Sequence, residues 1–164
     1  MADRKTFDTL QPVVIIPREK AVFWMDARGR WHNRHGPFRH QKIIKHFNTS
    51  IRRDKDGYFV SQDNNGVHEK VYFNYEDTAL FVIDIVETDS AIQLVLNTSA
   101  CIDLDPGDLM VANDQLYVQD GADRIKFSER ALFKISRLME YRNKMYYISI
   151  RNKTYPLAGG KRDT

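Results

Sequence analysis

A single cysteine, Cys101, among 164 residues leaves no partner for an internal disulfide and suits a reducing compartment. No apolar run approaches the roughly 20 residues that a helix needs to cross a bilayer. The opening Met1-Ala2-Asp3-Arg4-Lys5 has charges with no apolar stretch behind them, so a secretory leader is not expected and a cytoplasmic setting is. Fixed-period repeats and low-complexity segments are absent, which argues against solenoids and linkers. Motifs of familiar chemistry are also missing. There is no Walker loop, no Gly-x-Gly-x-x-Gly and no His-Glu-x-x-His, and Ser128 lacks the Gly-x-Ser-x-Gly setting of a nucleophile elbow.

What the chain does have is charge sorted along its length. Residues 1–55 carry a net +8, residues 56–127 a net −11 and residues 128–164 a net +6, which together hide behind an overall +3. Such a chain can present basic and acidic surfaces at once, and a basic surface attracts phosphates or an acidic partner. The acidic middle would repel a long polyanion, and no nucleic-acid reader motif is present, so a compact anion fits better than DNA or RNA.

The pattern of apolar residues predicts an α+β fold with mostly antiparallel strands and two helices. Val13-Val14-Ile15-Ile16 reads as an edge strand or an extended arm. Val22–Met25 and Arg30–His32 flank a turn containing Gly29, a hairpin signal. Pro37 should open a helix over about 38–49. Strands and tight turns follow, with the apolar stretch Ala79–Val86 as a central strand. Ser128 caps a helix expected over about 129–139, its stripe Leu132, Phe133, Ile135 and Leu138 or Met139. A last hairpin turns at Arg151-Asn152-Lys153. These elements suggest an arm at 1–20, a subdomain at 21–77, a strand-rich subdomain at 78–157 and a loose tail at 158–164.

His32, His35, His40 and His46 crowd one stretch, yet without metal-site spacing; a solvated basic face is the simpler reading. Asp54–Gly57 and Asp63–Gly66 lack the calcium-loop pattern and read as turns. Cys101 reads as a small buried residue. Trp24 and Phe47 are expected in the core, and Trp31, beside Arg30 and His32, is expected to expose its ring.

The order of several elements between Arg28 and Phe81 resembles a bacterial family, the domain of unknown function numbered twelve eighty-five. The matching pieces are Gly29-Arg30-Trp31, a short helix ending in Phe47, Ile51–Tyr58 with its Arg52-Arg53 and Gly57, Glu69-Lys70-Val71 and the acidic pair Glu76-Asp77. The chain departs from the pattern at Asn65–His68 and Thr78–Leu80, where prolines are usual, and at His40, where an arginine is usual. The resemblance implies two related α+β halves, the second loosely like a pleckstrin-homology fold. It also implies a cleft between halves for a nucleotide-like ligand and a signalling role, without enzymatic activity. No catalytic residue, metal ligand or cofactor is assigned.

The expected function is therefore non-catalytic binding of a small anionic, nucleotide-like ligand. Trp31 would stack on it, Arg30, Arg39, His40 and Arg53 would face phosphate, and Glu76 or Asp77 would accept from a sugar or base. A module that pairs with a protein partner or with a second copy is the alternative, and a metal-dependent hydrolase ranks third.

Overall fold

The structure, a computed structural model, describes residues 12–159. The expectations for the first eleven residues and for 160–164 lie outside that range. Eight strands and one helix make up the first half. They are β1 (Val13–Ile16), β2 (Phe23–Met25), β3 (Trp31–Asn33), β4 (Gly36–Pro37), α1 (Gln41–Thr49), β5 (Ile51–Asp54), β6 (Gly57–Asn64), β7 (Val67–Tyr72) and β8 (Asn74–Tyr75). β2, β3 and β4 form an antiparallel meander, and β8 returns to lie parallel to β2. After α1, a second meander runs β5-β6-β7, and β1 adds to its edge in parallel with β7. The apolar run at the start of the chain is thus an edge strand.

In the second half, β9 (Leu80–Glu87), β10 (Ile92–Leu96) and β11 (Cys101–Asp103) lead into β12 (Leu109–Ala112), β13 (Gln115–Asp120) and β14 (Asp123–Phe127). Then come α2 (Glu129–Ser136), β15 (Met139–Arg142), β16 (Met145–Ile150), β17 (Lys153–Pro156) and β18 (Ala158–Gly159). The large sheet has the order β11-β10-β9-β14-β13-β12-β18, and β15-β16-β17 form a separate meander. β9 lies inside the large sheet between β10 and β14, which explains its apolar run.

One plan occurs twice. A three-stranded meander, a helix, a second meander and a short strand parallel to the unit's first strand describe both β2 to β8 and β12 to β18. The strands β9-β10-β11 extend the second unit's sheet beside β14. The whole is an α+β architecture of mostly antiparallel strands.

The strand alternation decides which side chains enter the core. In β2, Phe23 and Met25 point in and Trp24 points out. Cross-strand register puts Met25 opposite Trp31 and Trp24 opposite His32. Trp31 is therefore inside, 1% exposed, against Phe23, Phe47 and Phe73 at ring separations of 4.8–5.6 Å. Phe81, Val82, Leu94, Ile125, Phe127 and Ile135 fill the core of the second half.

Both helices are shorter than their sequence pattern suggests. Pro37 pairs with His32 in the meander, and the Phe38 N–H donates to the Trp31 carbonyl at 2.8 Å. Residues 37–38 therefore stay in the sheet, and α1 starts only after His40. Ser128 caps α2 as expected, its Oγ accepting from the Ala131 N–H at 3.2 Å. That helix stops at Ser136, and Met139 enters a hairpin turned by Asn143 and Lys144, both with positive φ. Phe133, expected in the apolar stripe, is 82% exposed, and Cys101 is exposed on the outermost strand of the large sheet. No helix among the described residues is long and apolar enough to cross a membrane.

Candidate functional site

The residues expected to converge on one ligand divide among three places. The first is the tip of the β2–β3 hairpin, where the two halves meet. Gly29 takes φ +80°, and a Cβ there would lie 2.9 Å from the Phe81 ring, so the tip seats directly on β9. Asp26 organises the turn. It accepts from the N–H groups of Arg28 and Arg30 at 2.9 and 3.0 Å and from His32 Nε2 at 2.7 Å, with the Arg30 guanidinium at 3.4 Å. Partial burial pushes the Asp26 carboxyl up, but the His32 bond, the two N–H groups and the Arg30 charge outweigh it and hold it below the usual range. Arg30 is thus engaged within its own turn.

Glu76 and Asp77 belong to the same joint. Glu76 accepts from the Ala27 N–H at 2.9 Å. Asp77 accepts from the Tyr117 hydroxyl at 2.6 Å, from Lys126 Nζ at 3.0 Å and from Arg124 at 3.2 Å. Lys126 Nζ also donates to the Ala27 carbonyl at 2.8 Å, tying the hairpin tip to β14. Burial raises the Asp77 carboxyl, but Tyr117 and the two cations win and hold it below its ordinary value. Tyr117, partly buried and bonded to that carboxylate, is pushed up to about 12. Asp77 thus fastens the two halves, while Glu76 ties β8 to the hairpin tip within the first half.

The second place is a cleft of about 350 Å³ between the halves, with Ile51, Arg53 and Tyr58 on one wall and Leu80, Asp123 and Ile125 on the other. Arg53 Nε lies 2.8 Å from Asp123, which also accepts from the Tyr58 hydroxyl. The Arg53 charge is neutralised across the cleft.

The third place keeps its charge. Two adjoining depressions of about 560 and 340 Å³ share Asn33 and His35. Trp24 and Arg34 line the first; Phe38, Arg39, His40 and Ile43 line the second. Arg34 Nε donates to His35 Nε2 at 3.2 Å, and the Asn33 side chain accepts from the His35 N–H at 2.9 Å, which fixes this loop. Among the described residues, no carboxylate engages the side chains of Arg34, Arg39, His40, Lys42 or Lys45. Several bases elsewhere do have acids beside them: Arg28 with Glu129, Arg130 and Lys134 with Asp84, and Arg137 with Glu87. The first turn of α1 holds no acid, and no side chain caps it at His40, so the positive end of the helix faces the same depression.

The exposed indole at this site is Trp24. It is 38% exposed, and one face stacks on the His32 imidazole at 5.7 Å and 10°. The expectation for Trp31 is overturned by its burial, and its indole N–H donates to Asn48 of α1 at 2.7 Å. The structure thus brings Arg39 and His40 together and adds Trp24, Arg34 and His35. It separates from them Arg30, Arg53, Glu76 and Asp77. The period-two alternation of Phe23-Trp24-Met25 was the signal that could have selected Trp24. His35 and Arg34 lay in the histidine-rich stretch, but nothing in their order shows that they flank the start of α1. Among the described residues, no group of three or more His, Cys, Asp or Glu side chains could hold a metal ion.

Two α+β units built to one plan and joined through a hairpin tip define the class of this protein. The chain superposes on a DUF1285 family protein from Silicibacter pomeroyi with a TM-score of 0.59 and 12% identity, over 91% of this chain and 85% of that one. It superposes on a DUF1285 family protein from Shewanella baltica with a TM-score of 0.50 and 16% identity, over 71% and 91%. The fold is that of the DUF1285 structures. No family model matches the sequence, and no curated protein matches it, in keeping with a diverged sequence on a retained fold.

Proposed function

We propose that this chain binds, without transforming it, a compact anion bearing an aromatic group, a nucleotide-like ligand, held in the depression between the β3–β4 turn and the start of α1. The observation that carries this reading is the set of basic side chains without a carboxylate partner, Arg34, Arg39 and His40, on a concave surface with an open indole at its rim. The free face of Trp24 offers a stacking platform, and base–aromatic stacking contributes about 1–3 kcal/mol. Arg34 and Arg39 would pair with phosphate oxygens, where a guanidinium fork matches the geometry, and the uncapped N–H groups of α1 add to the field. Such a module fits the signalling role that the family resemblance implies.

Titration with a panel of nucleoside mono-, di- and triphosphates tests this, read by quenching of Trp24 fluorescence and by calorimetry. Binding should weaken with added salt, and Trp24→Ala should lower affinity by about 5- to 100-fold, as expected for a lost stacking contact. Arg39→Ala should lower it similarly, while Arg53→Ala binds as wild type. No heat and no quench with any member of the panel would discard the reading, as would a loss confined to Arg53→Ala.

A further inference from the structure

The outer face of the β5-β6-β7 sheet carries an arrangement that the binding reading does not use. Residues two apart on a strand, and residues paired across strands, share a face. On this face the paired rows are Phe59 with Tyr72, Ser61 with Lys70, and Asp63 with His68. His68 Nδ1 lies 2.9 Å from Asp63 Oδ1, and His68 Nε2 lies 3.1 Å from Ser61 Oγ. A carboxylate can only accept, so Nδ1 donates to Asp63, and when the ring carries one proton Nε2 is the acceptor for the Ser61 hydroxyl. Orienting acid, base and hydroxyl therefore stand in sequence within hydrogen-bond reach. This is the geometric criterion for an activated serine, independent of chain order or of any surrounding motif.

Two features bear on what such a serine would take. β1 pairs in parallel with β7, placing Val13 beside His68 and Ile15 beside Lys70. Parallel partners share a face, so two aliphatic side chains, 54% and 62% exposed, line the approach to the imidazole. Lys70, directly across from Ser61, holds its ammonium over the Phe59 ring at 4.9 Å and 3.3 Å from Asp54. Its charge is paired with Asp54, so it offers a developing oxyanion a hydrogen-bond donor and not a free positive charge.

We propose that Ser61 is a nucleophile with His68 as its general base, acting on esters of short aliphatic acids whose acyl chain lies along Val13 and Ile15. Ser61 Oγ attacks the ester carbonyl carbon while its proton passes to His68 Nε2. The bond from carbonyl carbon to leaving oxygen breaks, and that oxygen departs with the proton from His68. Water then attacks the acyl-serine, gives a proton to His68, and releases the carboxylic acid as Ser61 regains its hydrogen. Asp63 is the positioning residue that fixes the tautomer and supports the transient imidazolium. Its side chain is largely in solvent, so its support is weaker than that of a buried acid.

The test uses the full chain with p-nitrophenyl acetate and butyrate, together with a fluorophosphonate probe whose attachment site is mapped by mass spectrometry. The probe should attach to Ser61. Ser61→Ala and His68→Gln should each bring hydrolysis down to the background of the ester in buffer, with unchanged circular dichroism showing that these outer-face variants fold. Asp63→Asn should slow turnover by about 10-fold and alter the pH profile, since it removes the tautomer control. Butyrate should react faster than acetate, and Ile15→Ser should erase that preference. Probe attachment elsewhere, or a Ser61→Ala variant as active as wild type, overturns the proposal.

Discussion

Replacing Asp77 with alanine separates a fastener from a ligand contact. The carboxylate accepts from the Tyr117 hydroxyl, Lys126 and Arg124. Arg124 is 40% exposed on its side chain, so solvent screens its share, which amounts to less than about 1 kcal/mol. Lys126 is different: its side chain is 10% exposed, and without Asp77 its ammonium keeps only the Ala27 carbonyl. Leaving a buried charge without its partner costs roughly 3–5 kcal/mol in fully enclosed sites. With Asp77 itself 22% exposed, about 3 kcal/mol is the reasonable figure for the whole substitution. For a chain of this size that lowers Tm by roughly 6–12 °C.

Urea unfolding should show the midpoint of Asp77→Ala moving down with little change in slope. Adding Lys126→Met should recover part of the loss, because the orphaned ammonium is gone. The dependence on pH follows from the depressed Asp77 carboxyl. A group held below its unfolded value contributes fully above the ordinary carboxylate range and loses that contribution as pH falls through the folded value. Wild type and Asp77→Ala should therefore differ most near neutrality and converge in acid. Nucleotide affinity should not change. A loss below about 0.5 kcal/mol, or no recovery on adding Lys126→Met, would refute the reasoning about an orphaned charge.

Two further substitutions probe the same architecture. Gly29→Ala combines a positive φ with a Cβ 2.9 Å from the Phe81 ring, whereas a Cβ at Gly36, also at positive φ, meets nothing within 4 Å. Thermal unfolding should show Gly29→Ala losing about 2 kcal/mol and Gly36→Ala about half of that, and equal losses would mean that the hairpin tip does not seat on β9. Trp31→Phe removes the indole bond to Asn48 and some buried volume, for an expected loss of about 1–3 kcal/mol in urea. It also leaves Trp24 as the single indole, so ligand quenching should persist in full.

The hairpin around Gly29, the inner strand β9, the Ser128 cap and the closing hairpin were legible because each is written in contiguous residues: a turn glycine, an apolar run, a capping hydroxyl. The start of α1 was not, because the Phe38 N–H is taken by the Trp31 carbonyl, a bond formed only once the sheet exists. Trp24 and Trp31 changed places for a related reason. A shift of one residue turns a strand over, and only the pairing of Met25 with Trp31 settles which face is inward. Arg39 and His40 line one depression because basic residues next to a helix start lie near one another in the chain. That Arg53 and Asp77 lie apart from them was not legible, because their partners, Asp123 and Lys126, come some fifty to seventy positions later. The serine, histidine and aspartate on β6 and β7 escaped notice since the interval between them is set by a hairpin register and not by any motif.

In both units the last strand comes home to the side of the first, β8 beside β2 and β18 beside β12. A segment whose two ends emerge together can be copied in tandem without rerouting the polypeptide on either flank. That makes gene duplication a straightforward ancestry for this architecture. Once copied, one unit could keep Arg34 and Arg39 bare while its twin committed Arg124 and Lys126 to fastening the pair.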